Sequence, residues 1–118
     1  MLHRNATKKL GRVRKQRTAL LRSLARSLII YERIETTEAK AKTLRPFIEK
    51  LVTRAKQGES VAAKRLIISR LGGAKRETMK LFTEIAPRYK DRNGGYTRIS
   101  KISAHMADGR DVAVIEFV

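Results

Sequence analysis

The sequence contains no cysteine among its 118 residues, which excludes disulfide bridges, thiolate zinc sites and cysteine nucleophiles. It also has no tryptophan, and aromatic residues make up only 5% of the chain, so we expect no row of exposed rings for stacking on a single strand. No apolar run approaches the roughly 20 residues that span a bilayer. The opening Met1-Leu2-His3-Arg4 lacks the apolar stretch of a secretory signal. We therefore expect a cytoplasmic protein without a membrane segment.

Acidic residues are scarce. The chain has 28 Lys and Arg residues against 11 Asp and Glu, which gives a formal net charge of +17. Because this charge repels itself in a compact domain, a polyanion is expected to supply the missing negative charge. RNA and DNA are the leading candidates. An anionic membrane surface is a weaker one, since no basic helix presents Trp or Phe.

Residues for catalysis or metal binding are few. The two histidines, His3 and His105, are separated by most of the chain, and without cysteine a metal site would need both of them with nearby carboxylates. The acids near His105 lie in Asp108-Gly109-Arg110-Asp111, which is typical of a turn. No glycine-rich loop has the spacing of a nucleotide-binding motif. We expect no enzyme, no metal, no cofactor and no small-molecule substrate.

The basic residues are concentrated at the N-terminus, where Glu32 is the first acid. Residues 1–15 show no helical or strand periodicity and few apolar side chains, so they are predicted to form an irregular basic arm that a partner must order. Residues 16–118 are predicted to form one domain. The cations before Glu32 are Arg4, Lys8, Lys9, Arg12, Arg14, Lys15, Arg17, Arg22 and Arg26.

A first helix is predicted from about residue 17 to residue 32. On a helical wheel its apolar side chains fall within roughly 100°, which predicts a core-facing stripe. Four cations cluster on the opposite side, within about 40°. With no acid to pair with them at i,i+4, this basic ridge is interpreted as facing phosphates; the alternative is an ordinary solvated face. The stripe is Leu20, Leu21, Leu24, Leu28 and Tyr31, and the ridge is Lys15, Arg22, Arg26 and Arg33.

The rest of the chain predicts an α+β fold, with helices packed on a small mixed or antiparallel sheet. A short strand is expected at 34–36, and Thr36 or Thr37 can cap the helix that follows it to about Gln57. Pro46 should kink or restart that helix. A third helix is predicted at 60–71, where Ser60 can cap its start, and a fourth at 75–86, with strands at 96–103 and 112–118.

Individual side chains are also assigned to the core. The predicted inward residues are Leu44, Phe47, Ile48, Leu51, Val52 and Ala55 in the second helix; Val61, Leu66, Ile67 and Leu71 in the third; Met79, Phe82 and Ile85 in the fourth; and Ala113, Ile115 and Phe117 in the last strand. Ile99 and Ile102 have opposite parity in the preceding strand, which predicts either a bulge or burial on both faces.

Two segments are candidate nucleic-acid surfaces. Helices at 60–86 joined by Gly72-Gly73 could form a helix-turn-helix that reads DNA, although two core helices sharing a turn fit better. The segment 88–98 contains Arg88, Arg92 and Gly94-Gly95-Tyr96-Thr97-Arg98. There the glycines would let a phosphate approach, Thr97 and Arg98 would donate, and Tyr96 would either stack on a base or pack on the core.

Four blocks of residues resemble the bacterial large-subunit ribosomal protein L-seventeen family, in the same order and over essentially the whole chain. They are Met1-x-His3-Arg4 with Lys9-Leu10; Arg33-Ile34, Thr36-Thr37, Lys40-Ala41-Lys42 and Leu44-Arg45-Pro46; Ala86-Pro87-Arg88-Tyr89; and Gly94-Gly95-Tyr96-Thr97-Arg98.

The resemblance implies a structural protein of the large ribosomal subunit that binds 23S-type ribosomal RNA near the exit of the polypeptide tunnel. It also implies ribosomal protein L-thirty-two as a neighbour. By matching position, it implies RNA contacts at His3, Arg4, Lys8, Lys9 and Arg12 and at Gly94, Gly95, Tyr96, Thr97 and Arg98. A free-standing DNA-binding protein that uses the helices at 60–86 is the alternative.

Overall fold

The computed structural model describes residues 13–102 and 111–118. The helix that begins at Lys75 changes to π-helical geometry at Leu81–Ile85 and ends as a 3-10 turn at Ala86–Tyr89. The regular elements are α1 (Arg14–Tyr31), β1 (Arg33–Thr37), α2 (Glu38–Lys56), α3 (Val61–Arg70), α4 (Lys75–Lys80), β2 (Thr97–Ile102) and β3 (Val112–Phe117). The predicted α+β class is confirmed.

The three strands form an antiparallel sheet in the order β1-β3-β2. Ile115 of β3 pairs with Ile34 on one side and Ile99 on the other, and these three isoleucines pack on the helices. The β2–β3 register is unbroken, so the bulge considered for β2 is absent. Ile102 is instead half-buried on the opposite face from Ile99, which agrees with the other predicted alternative, burial on both faces of the strand.

The starts of α2 and α3 lie where capping residues in the sequence predict them. The Thr37 side chain accepts a hydrogen bond from Lys40 N at 3.3 Å, and the Ser60 side chain accepts one from Ala63 N at 3.0 Å, as predicted for the caps of α2 and α3. α2 runs through Pro46 without a restart.

The first helix begins earlier than predicted. Because α1 starts at Arg14, the last two residues of the predicted arm, Arg14 and Lys15, belong to its first turn. Val13 is the N-cap residue of α1, and residues 1–12 of the predicted arm lie outside the described residues.

The core is built from one face of each helix against the sheet. Four residues predicted to face inward are exposed, namely Tyr31, Val61, Leu66 and Met79. Tyr31 is the last residue of α1, where the chain turns away through Glu32. α3 buries only a narrow stripe, so Val61 and Leu66 face outward. The buried positions are Ala25, Leu28, Ile29, Ala41, Leu44, Ile48, Leu51, Val52, Ala55, Ala63, Ile67, Leu71, Leu81, Phe82, Ile85, Ala86, Tyr89, Tyr96, Ala113, Ile115 and Phe117.

Met79 is misplaced because a polar residue occupies the buried side of its helix. Thr78 takes the buried position of α4 and donates its hydroxyl to Ala74 O at 2.7 Å. Leu81, Phe82 and Ile85 lie on the same side of the helix as Thr78, spaced i, i+3, i+4 and i+7, while Met79 points outward.

Candidate nucleic-acid interface

The N-terminal turn of α1 carries positive charge at an unfavourable place. Val13 gives it no side-chain cap, and there is no acid in the first turn. Arg14 and Lys15 are exposed there, and Arg17 is half-buried. Since a helix N-terminus already carries partial positive charge, these cations are poorly placed unless an anion approaches them.

Arg22 and Arg26 do not form the fully exposed ridge that the wheel predicts. Both are half-buried, and Arg26 Nη1 donates to Leu71 O at 2.9 Å. A Cβ placed on Gly72 would lie 3.1 Å from Arg26 Nη1 and 3.2 Å from Arg22 Cδ. The wheel places the two side chains opposite the core-facing stripe, but they cover the turn between α3 and α4 and so contribute to the packing of the fold.

Arg33 is not part of α1. The helix ends at Tyr31, and Glu32 takes a left-handed conformation with φ of 63°, which redirects the chain into β1. Arg33 then lies on the outer face of the sheet, with its Nε 3.8 Å from Glu116 Oε2. Glu116 lies on the central strand β3, and Arg98 reaches the same carboxylate from β2 on the other side, with Nη2 2.9 Å from Oε1. Glu116 therefore pairs with both arginines.

The turn between α3 and α4 is held by backbone hydrogen bonds. Gly73 N donates to Ile68 O at 2.8 Å and Gly72 N donates to Ser69 O at 3.1 Å, a Schellman closure of α3. Both glycines have positive φ, 73° and 89°, which this closure requires at Gly72.

Three further cations flank this turn, and the sequence reasoning did not select them. Arg70 ends α3, and Lys75 and Arg76 begin α4; all three are exposed. Within the described residues, no carboxylate oxygen lies within 4.0 Å of these cations or of Arg22 and Arg26. Their position on both sides of a glycine pair was the available signal.

The segment that begins at Gly94-Gly95 is held by hydrogen bonds to the carboxylate of Glu49 on α2. One oxygen, Oε2, accepts from Thr97 Oγ1 at 2.8 Å and from Thr97 N at 3.3 Å, while Oε1 accepts from Gly95 N at 3.3 Å. Arg45 Nε lies 3.4 Å from the same carboxylate. The donors that the sequence suggested for a phosphate are thus turned towards a carboxylate of the protein itself.

Tyr96 packs on the core, which is one of its two predicted interpretations. Its side chain is 1% exposed, and its ring centroid lies 5.2 Å from that of Tyr89. Lys56 Nζ lies 5.1 Å from the ring centroid and donates to the hydroxyl at 3.1 Å. The Thr53 hydroxyl, 3.2 Å away, is the main cause of a lowered pKa of Tyr96. No face of the ring remains open to a base.

Arg88 is engaged in an internal ion pair. Its guanidinium donates to Glu32, and Lys80 Nζ lies 3.3 Å from the other oxygen of that carboxylate. The hydrogen bond from Arg88 is the main cause of a lowered pKa of Glu32, and it raises the pKa of Arg88 in turn. Burial raises the pKa of the neighbouring Tyr89, whose hydroxyl donates to Val118 O at 2.6 Å.

Arg92 remains exposed in the connection that leads to β2. Its backbone carbonyl accepts a hydrogen bond from the Lys56 ammonium. Of the cations predicted in the segment 88–98, Arg92 is the one without a carboxylate partner among the described residues.

The helix-turn-helix alternative gains no support from this arrangement. α4 has only six residues before it changes to π-helical geometry, and its buried residue Thr78 lies against the turn. In the described ranges, no group of three or more His, Asp or Glu residues could hold a metal ion. None of the helices in those ranges is long and apolar enough to cross a membrane. His3, His105 and Asp108 lie outside them.

Comparison with known proteins gives one consistent family. The family model described as "Ribosomal protein L17" matches residues 20–118. The chain is 52% identical to the large ribosomal subunit protein bL17 of Hydrogenobaculum sp. (strain Y04AAS1) over 100% of this chain and 99% of that protein. It is 53% identical to the bL17 of Persephonella marina (strain DSM 14350 / EX-H1), with 100% and 95% covered. The chain belongs to the ribosomal protein L-seventeen family.

Proposed function

We propose that this chain is a structural protein of the large ribosomal subunit that binds its 23S-type RNA. Family membership supports a place in the ribonucleoprotein particle that carries out translation in the bacterial cytoplasm. The resemblance of the four sequence blocks further supports a position near the exit of the polypeptide tunnel, beside ribosomal protein L-thirty-two. We propose no catalytic role and no DNA-binding role.

The observation that carries RNA binding is the unbalanced charge at the start of α1. Arg14 and Lys15 have no carboxylate within 4.0 Å among the described residues, and no acid precedes Glu32 in the sequence. A phosphate there would supply both the missing negative charge and a partner for the uncapped N–H groups.

The proposed contacts divide into two groups. Those within residues 1–12 are His3, Arg4, Lys8, Lys9 and Arg12. The proposed contacts on the folded domain are side chains that are exposed or half-buried, namely Arg14, Lys15, Arg17, Arg22, Arg26, Arg33, Arg92 and Arg98. Gly94 and Gly95 would let a phosphate come close to the backbone, and Thr97, Arg88 and Tyr96 would contribute by holding the segment in place. Because cations dominate this set, contacts should go mainly to phosphate and sugar.

Salt dependence of binding tests the proposal. We expect the affinity of the full chain for transcribed large-subunit RNA to fall steeply with salt, at a slope of roughly 0.7 to 0.9 log units per phosphate neutralised. Removing residues 1–12 deletes four cations but spares α1, and should reduce the slope by about 3.

The matched control is a full-length variant in which Arg4, Lys8, Lys9 and Arg12 are changed to Gln. Its salt slope should fall as much as that of the truncated chain. A shallow slope that neither change alters would show that residues 1–12 do not bind phosphates. Co-sedimentation with large subunits after a high-salt wash, with cross-linking to neighbouring proteins, tests the location.

A further inference from the structure

The molecule has a second concentration of cations, remote in sequence from residues 1–12, at the turn between α3 and α4. We call Arg22, Arg26, Arg70, Lys75 and Arg76 the turn cluster. Arg22 and Arg26 reach the turn from α1, and the other three flank it along the chain. Among the described residues, none of the five forms an ion pair within 4.0 Å; Glu77, which follows Arg76 in α4, does not pair with any of them.

Two of these arginines are held in place before any ligand binds. Arg26 is tied to Leu71 O at 2.9 Å, and both Arg22 and Arg26 lie against the backbone of Gly72. A guanidinium has five N–H donors, so one bond from Arg26 to a carbonyl leaves most of its donors available. Held side chains lose less entropy on binding than free ones do.

The backbone at the centre of the turn cluster is open. A Cβ at Gly73 would meet nothing within 4 Å, so no side chain stands above that residue. A ligand backbone can therefore come close to the turn while the surrounding cations reach around it. This is the geometry that a chain of phosphates requires and that a single small anion does not use fully.

The turn cluster lacks the apolar anchors of a typical protein-binding surface. Leu71 is fully buried and Ala74 is half-buried, so the turn itself presents no large apolar side chain. Protein interfaces usually centre on buried aromatic or aliphatic residues, whereas backbone contacts to nucleic acid are made mainly by cations.

We propose that the turn cluster binds the phosphate backbone of folded large-subunit RNA, as a contact separate from that of residues 1–12. The proposal rests on the proposed function and deepens it, because it names a surface of the folded domain that the sequence reasoning recognised only at Arg22 and Arg26. In this arrangement all five side chains contact phosphates, and Arg26 also holds the turn through its hydrogen bond to Leu71 O.

The test changes Arg70, Lys75 and Arg76 together to Gln in the full chain. We expect affinity for transcribed large-subunit RNA to fall at least about tenfold near physiological salt, and the salt slope to fall by about 2. All three side chains are exposed, so the melting temperature should stay close to that of the unchanged protein.

The matched control changes Lys50, Arg54 and Lys90 to Gln, which removes the same charge from exposed positions on α2 and the connection to β2. It should lower affinity by no more than about threefold, through the general field alone. Equal losses from the two triple variants would overturn the proposal.

Two other results separate this inference from the proposed function. If the unchanged chain shows no salt-dependent RNA binding, the proposed function itself fails. If the turn-cluster variant binds free RNA normally but is lost from reconstituted large subunits, the surface contacts a protein, and the assignment to RNA is wrong.

Discussion

The chain has two glycine pairs, Gly72-Gly73 and Gly94-Gly95, and all four residues have positive φ. Gly72-Gly73 follows the end of α3, Gly94-Gly95 precedes the start of β2, and both pairs have arginines nearby. Around the first pair, cations gather with no carboxylate oxygen within 4.0 Å of them among the described residues. At the second, Glu49 accepts hydrogen bonds from Gly95 and Thr97.

The difference shows that a basic, glycine-rich sequence does not by itself define a phosphate site. What decides is whether the fold brings an acid to it. Glu49 is remote in sequence from the second pair, yet α2 carries it to the donors there. Glu32 does the same for Arg88, and Glu116 for Arg98. At the first pair, no carboxylate oxygen in the described part of the chain comes within 4.0 Å of the cations, which leaves them for an external anion.

The largest effect is expected from Tyr96→Ala. Because this ring is 1% exposed and packs against Tyr89, its loss should lower the free energy of unfolding by about 3–5 kcal/mol, measured by urea denaturation. Tyr31→Ala, at a position 71% exposed, is the control and should cost less than about 0.5 kcal/mol. If Tyr96→Ala instead kept full stability and lost RNA affinity, the ring would be a stacking surface and the comparison would be wrong.

Glu49→Ala should have the next largest effect. It leaves the N–H and hydroxyl groups of the buried Thr97 without their acceptor, so we expect a loss of about 1–3 kcal/mol in chemical denaturation. Glu59→Ala removes an exposed carboxylate whose partner is Lys64, at 3.1 Å, and should change stability by less than about 1 kcal/mol. Similar values for the two variants would mean that Glu49 does not hold the second glycine pair.

The parts of the structure that depend on near neighbours in sequence could be predicted. The caps at Thr37 and Ser60 are interactions between residues three apart, and the alternation of Ala113, Ile115 and Phe117 gives the inner face of β3 directly. The pairing of Glu49 with Thr97 could not be predicted, because it depends on how α2 lies against the sheet.

The same reasoning explains the errors within helices. Choosing inward residues by their apolar character assumes that polar side chains face outward. Thr78 shares a side of its helix with Leu81 and Ile85 and satisfies its hydroxyl at Ala74 O, so the buried residue is Thr78 and not the apolar Met79. Arg22 and Arg26 lie opposite the stripe, yet the α3–α4 turn packs against them. Charge on a wheel shows which residues share a side, but not what the fold places there.

A comparison of Gly72→Ala with Gly73→Ala would sharpen the contrast. Each alanine must adopt a left-handed conformation, which costs roughly 1–2 kcal/mol. At Gly72 the new Cβ would also press on Arg26 Nη1 and Arg22 Cδ, at 3.1 and 3.2 Å, whereas at Gly73 it meets nothing. We expect thermal melts to show Gly72→Ala as the less stable of the two variants, and RNA binding to weaken more for that variant. The reverse order would show that the arginines are not held by the turn.

The smallest effect concerns the ion pair that engages Arg88. Hydrogen bonds from Arg88 and then Lys80 lower the pKa of Glu32 from its ordinary value of 4.5. A carboxylate with a lowered pKa in the folded state adds stability above its unfolded pKa, and this contribution disappears as the pH falls through the folded value. Since the pair is partly exposed, the contribution at neutral pH should be below about 1 kcal/mol. Glu32→Gln should therefore be slightly less stable than the unchanged chain at pH 7, and the difference should vanish on acidification below pH 4.5, measured by urea denaturation across that range.

Glu35→Gln, at an exposed position on β1 without an ion pair in the described part of the chain, should show almost no difference at either pH. A difference for Glu32→Gln that persists in acid would show that the carboxylate acts through packing, and that Arg88 is free to bind a phosphate.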